Sequence, residues 1–124
     1  MNITTIEAGG TIIAVVSGNE AVVGDVQSAL DLMATVRYET ECDRIVIHKA
    51  LLSEEFFDLK TRLAGEILQK FINYQVKVAV VGDFSSYTSS SLRDFIYECN
   101  QGKDIFFVAD EQQAVERLSR KPRI

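Results

Sequence analysis

Three short runs dominate the sequence: Arg44-Ile45-Val46-Ile47-His48-Lys49, Val76-Lys77-Val78-Ala79-Val80-Val81 and Asp104-Ile105-Phe106-Phe107-Val108-Ala109. Their apolar residues follow one another with little alternation, as in strands buried on both faces. The stretches between them have helical spacing. Strand–helix–strand units of this kind call for parallel pairing, because the crossover helix carries the chain back to the same end of the sheet. The expectation is an α/β sandwich with a mixed, mostly parallel sheet.

The first residues add a different element. Ile3 to Ile6 and Thr11 to Val16 flank Gly9-Gly10, a pair able to take the positive φ values of a tight turn. This predicts an N-terminal antiparallel hairpin. A turn at Ser17-Gly18-Asn19-Glu20 and a short extended piece, Ala21-Val22-Val23, follow. Asp25 is a good N-cap, and Val26, Ala29, Leu30, Met33 and Val36 recur on one helical face. Tyr38 to Asp43 is polar and reads as a loop.

Ser53 to Tyr74 reads as one long helix capped by Ser53. Phe56, Phe57, Leu59, Leu63, Ala64, Ile67, Leu68, Phe71 and Ile72 give it an apolar face wider than an ordinary amphipathic stripe. Leu92, Phe95, Ile96 and Cys99 mark another helix, stopped by Gly102. Asp110, with Gln113 as its capping-box partner, opens a last short helix. About four helices are expected in all. The basic end, Arg117–Arg123, suits a solvated helix terminus.

A chain of 124 residues without an internal repeat or linker suits one domain over 1–124. The net charge of −5 argues against a nucleic-acid partner, since neutralising phosphates needs a basic surface. The first residues lack the basic start and apolar core of a signal peptide, and no apolar run is long enough to span a bilayer. Cys42 and Cys99 do not make a disulfide framework, so the expected setting is cytoplasmic, with no membrane partner. Glycine-rich phosphate loops, a nucleophile elbow and metal-ligand spacing around His48 are missing. No cofactor, metal or catalytic residue is therefore expected.

Ligands of parallel sheets favour the carboxyl ends of the strands. There the serine-rich loop Ser85–Ser91 stands out. Asp83, Ser85, Ser86, Ser89 and Arg93 form the candidate ligand site, with helix N–H groups able to receive an anion. The simpler reading is that these residues cap a helix and fill a turn. His48, on a central strand, is expected to be packed and hydrogen-bonded.

The runs Asp25-Val-Gln-Ser-Ala-Leu-Asp-Leu-Met-Ala-Thr-Val36, Phe56-Phe-Asp-Leu-Lys-Thr-Arg-Leu-Ala-Gly-Glu-Ile-Leu-Gln-Lys-Phe71 and Val80-Val-Gly-Asp-Phe-Ser-Ser-Tyr-Thr-Ser-Ser-Ser-Leu-Arg-Asp-Phe-Ile-Tyr-Glu-Cys-Asn100 resemble a small bacterial family, domain of unknown function 4180. That resemblance implies no activity or cofactor. More coarsely, the element order looks like STAS domains and their SpoIIAA-like relatives, which act through protein partners or bind small ligands. Regulatory members carry a phosphorylatable serine at the start of the helix after a central strand. Ser53 falls near that place, within Leu51-Leu52-Ser53-Glu54-Glu55, without the Asp-Ser-Ser-Gly pattern.

The functional expectation is a non-enzymatic regulatory or protein-interaction module. Its contact surface would be the over-apolar helix, through Phe56, Leu59, Leu63, Ile67 and Phe71, and a homodimer is the natural outcome. The alternative is an anion- or metabolite-binding protein, or a weak enzyme, with its site around Asp83 and the serine loop.

Overall fold

The structure is a computed structural model and describes residues 1–119. Most of the basic stretch Arg117–Arg123 therefore lies outside the described residues.

Strand β1 (Asn2–Ala8) and strand β2 (Thr11–Ser17) form the expected hairpin. Gly9 and Gly10 make the two-residue turn with φ of +58° and +82°, a backbone that a side chain would strain. After the extended piece, whose Val23 makes an isolated parallel bridge to Leu52, helix α1 spans Val26–Thr40. Asp25 caps it reciprocally: its carboxylate accepts the Ser28 N–H at 2.7 Å, and Ser28 Oγ accepts the Asp25 N–H at 3.1 Å. The helix runs through Tyr38, Glu39 and Thr40, which the sequence placed in a loop. Thr40 Oγ1 donates to the Val36 carbonyl at 2.7 Å and accepts the Cys42 N–H at 3.1 Å, tying down that last turn before Glu41 turns left-handed at φ 59°.

Strands β3 (Arg44–His48), β4 (Lys77–Val81) and β5 (Ile105–Val108) follow the three apolar runs. Sheet order equals chain order, β1-β2-β3-β4-β5. Only the β1–β2 pair is antiparallel; the others are parallel.

The segment 53–74 departs from the expected single helix. After a 3-10 turn over Lys49–Leu51, it consists of short 3-10 turns over Glu54–Phe57 and Leu59–Thr61, then helix α2 over Leu63–Asn73. Side chains compete for the backbone here. Asp58 accepts the Lys60 N–H, and Thr61 Oγ1 donates to the Glu55 and Asp58 carbonyls. Arg62 then adopts a left-handed conformation with φ 63°. The apolar excess of the segment is thereby turned inward: Phe56, Phe57, Ala64, Ile67, Leu68 and Phe71 are all buried in the protein's own core. Phe56 and Phe71 are each only 2% exposed, and such burial contributes about 2–3 kcal/mol per side chain.

Helix α3 (Ser90–Gln101) links β4 to β5, and helix α4 (Glu111–Ser119) follows β5. Crossovers that all step the same way along the sheet share one face when each is right-handed. That face holds the main core, with Val16, Ile45, Ile47, Val78, Val80 and Phe107 among the inward residues. The opposite face holds a smaller core, in which Ala114 and Leu118 of α4 cover Ile13, Val15, Val46, Ala79 and Phe106. Among the described residues no helix is long and apolar enough to cross a membrane.

Candidate functional site

The carboxyl ends of β3, β4 and β5 bring chain-distant residues to one rim. Because side chains alternate along a strand, His48 shares the α4 face with Val46. There its Nε2 lies 2.7 Å from Oε2 of Glu111, in the first turn of α4. His48 is thus packed and hydrogen-bonded, as expected of a strand histidine. Its partner, 63 residues away, had no local signal.

On the other face, Lys49 leaves β3 and lies across the end of β4. A Cβ at Gly82 would stand 2.6 Å from Lys49 Cβ, so the crossing requires a glycine. Lys49 Nζ then sits 4.7 Å from the Tyr87 ring centre and 5.6 Å from that of Phe57. Tyr87 stacks on Phe57 at 5.1 Å and donates its hydroxyl to Glu54 at 3.1 Å. Burial is the main reason its phenol is held above the usual tyrosine range. Phe84 packs edge-on to Phe107 at 5.6 Å. Aromatic contacts therefore pin the serine loop to the core at Phe84 and Tyr87.

Of the candidate ligand residues, the structure joins Asp83 to Ser85. The carboxylate accepts the Ser85 hydroxyl at 2.6 Å and its N–H at 2.9 Å. Those bonds, with a smaller contribution from Lys49, hold Asp83 below the usual carboxylate range. A carboxylate so stabilised is a poor general base. Ser89 caps α3, accepting the Leu92 N–H at 3.2 Å. Ser86 is exposed, and Arg93 is exposed one turn into α3. The capping-and-turn reading accounts for Asp83, Ser85 and Ser89. Beside them, Phe57, Asp58, Leu59, Lys60, Ser89 and Ser91 line an open groove of about 520 Å³.

Ser53 does not cap a helix through its side chain. Its Oγ is buried without a hydrogen-bond partner, while its N–H donates to the Val23 carbonyl at 3.0 Å. Phosphoryl transfer to it would require this turn to open first. Phe56, Ile67 and Phe71 are buried, and Leu59 and Leu63 are half-buried against the core. Cys42 is buried, and burial pushes the half-buried Cys99 thiol up, helped by Glu98.

A second surface lies between α1 and the end of α2. Leu30, Met33, Ala34 and Arg37 of α1 face Tyr74 and Val76, at and beyond the end of α2, across an open groove of about 280 Å³. Tyr38 and Tyr74 are 90% and 60% exposed. The signal was present in the sequence: Leu30, Ala34, Arg37 and Tyr38 recur at helical spacing on the flank of the buried stripe.

Among the described residues no group of three or more His, Cys, Asp or Glu side chains is placed to hold a metal ion. No curated protein and no solved structure matches the chain. The family model described as domain of unknown function (DUF4180) matches residues 8–118. With nearly its whole length matched, the chain belongs to the DUF4180 family.

Proposed function

We propose that this DUF4180 domain is a non-enzymatic regulatory module, STAS-like in its element order, that engages a protein partner through the groove between α1 and α2. The observation that carries this reading is the composition of that groove: Leu30, Met33, Ala34 and Val76 as an apolar floor, flanked by Arg37 and Tyr74. Tyr, Arg and Met are enriched at protein interfaces, and Tyr and Arg also among the residues that carry most of the binding energy. At the strand ends, by contrast, Asp83, Ser85, Ser89, His48 and Glu111 spend hydrogen bonds on one another or on the backbone. The reading belongs to a reducing cytoplasm, where Cys42 and Cys99 persist as thiols.

A second reading, an anion- or metabolite-binding protein, draws on the groove where Lys60 meets Ser89 and Ser91 at the start of α3. One experiment separates the two. A photo-crosslinking residue is placed at Tyr74, and as a control at Tyr97 on the exposed side of α3, in cells that naturally make the protein. A discrete protein adduct from Tyr74 alone supports the interaction module. Loss of any Tyr74-specific adduct, with a small molecule retained in native mass spectrometry, transfers the function to the Lys60 groove.

A further inference from the structure

The two edges of the sheet are finished differently. At β5 the outer edge is covered at Phe107: Asn100 on α3 accepts the Phe107 N–H at 2.7 Å and donates to the Phe107 carbonyl at 3.0 Å. Arg117 in turn holds the Asn100 carbonyl and lies over the Phe106 ring. The strand itself is only four residues long.

The edge formed by β1 has no such cover among the described residues. It runs seven residues and pairs only with β2. Ala8 and Thr11 flank the two-residue turn, where the first pair of a hairpin is hydrogen-bonded. Alternation from that pair turns Ala8, Ile6, Thr4 and Asn2 toward β2 and leaves the N–H and C=O groups of Ile3, Thr5 and Glu7 facing outward. The strand has no Lys or Pro, and its register to β2 has no bulge, so the usual safeguards of an open edge are missing. Its one charge is Glu7. Ile6 and Ile12 of the same hairpin are 36% and 54% exposed.

We propose that β1 is a self-association edge: two copies of this chain pair β1 with β1 antiparallel about a twofold axis at Thr5, merging their sheets. Thr5 then faces its own symmetry mate and Ile3 faces Glu7. This register pairs every outward main-chain group of Ile3, Thr5 and Glu7 in both copies. A shift by one residue sets outward groups against inward ones, and a shift by two leaves an outward residue of each strand unmatched. On the alternate face, Thr4 of one copy stands beside Ile6 of the other and covers part of its exposed surface.

Charge selects the same arrangement. Parallel pairing in register would set Glu7 against Glu7, a destabilising contact. The antiparallel twofold separates these carboxylates by four residues, about 14 Å along the strand, beyond the Debye length of physiological salt. The edge is therefore complementary to a second copy of itself. It uses residues distinct from the α1–α2 groove, so either surface can fail while the other stands.

Sedimentation equilibrium of the full chain tests the proposal. The wild type shows a concentration-dependent monomer–dimer equilibrium. Thr5→Lys, which sets two ammonium groups face to face, raises the dimer dissociation constant at least about tenfold. Mixing Thr5→Lys with Thr5→Glu restores a heterodimer, because position 5 opposes itself only in this register. Circular dichroism and thermal melts confirm that each variant folds. On the wild type alone, amide hydrogen exchange at Ile3, Thr5 and Glu7 slows as protein concentration rises. A wild type that stays monomeric, a dimer indifferent to Thr5→Lys, or a Lys/Glu mixture that forms no heterodimer overturns the proposal. Arg37→Glu in the groove leaves the dimer unchanged.

Discussion

Asn100 acts as a one-residue strand for Phe107: its side-chain amide accepts the N–H and donates to the C=O of Phe107 along the edge of β5. A backbone neighbour would make the same pair of bonds. Asn100→Ala leaves both groups of the buried Phe107 unpaired at once, and an unmet buried polar group costs about 1–3 kcal/mol. Urea denaturation is expected to show a loss in that range. Asn100→Asp keeps the acceptor for the N–H but turns a carboxylate oxygen toward the Phe107 carbonyl, and is expected to be no better than Ala at neutral pH. An Asn100→Ala variant as stable as wild type removes this role.

Gly82 makes room for Lys49. With a Cβ only 2.6 Å from Lys49 Cβ, Gly82→Ala cannot be accommodated by swinging a flexible side-chain end, because the clash is with an atom fixed to the backbone. Overpacking of this kind costs about 1–3 kcal/mol. The variant is expected to melt lower and to lose the contact between Lys49 and the Tyr87 ring, visible as a change in tyrosine near-ultraviolet circular dichroism.

The cap of α1 predicts an acid dependence. Hydrogen bonds from Ser28 hold the Asp25 carboxyl below the usual value of 3.8. A carboxyl depressed in the folded state stabilises the protein above its unfolded pKa. That contribution fades as pH falls through the lower folded value. Wild type is therefore expected to be more stable than Asp25→Ala at neutral pH, with the difference shrinking below about pH 4. Thermal melts across that range measure it. A difference that does not change with pH assigns the cap's contribution to something other than the charged carboxylate.

Ser53 Oγ is buried and unpartnered, so removing it relieves a desolvation penalty. Ser53→Ala is expected to be neutral or stabilising by up to about 1 kcal/mol. Ser53→Asp, which buries a charge at the same spot, is expected to destabilise by about 2 kcal/mol or more. Equilibrium unfolding of both variants checks the pair. If Ser53→Asp is tolerated, the turn opens readily and this serine becomes accessible to modification.

The sheet and most helices were legible because their signals are local. Ile45-Val46-Ile47 and Val78-Ala79-Val80-Val81 can be buried only as interior strands; Gly9-Gly10 and Asp25 mark a turn and a cap from their own chemistry. The 53–74 segment misled because apolar spacing does not register side chains that compete for the backbone. Phe56 and Phe57 read as part of a helical face, yet Asp58 and Thr61 hydrogen bonds and the left-handed Arg62 break the chain into turns that bury both rings. Phe56, Ile67 and Phe71 of the apparent contact surface thereby became core.

The candidate site divides along the same line. That Asp83 binds Ser85 and that Ser89 caps a helix was legible, since both are contacts within three residues. The partners that give the strand ends their shape, Glu111 for His48, Gly82 and Tyr87 for Lys49 and Asn100 for Phe107, were not. By itself the sequence determined most of the elements, their order and the mostly parallel sheet, because periodicity and capping act over a few residues. Only the tertiary structure decided which apolar residues face water and which sheet edge stays open. Those outcomes depend on crossovers that bring together residues with no relation along the chain.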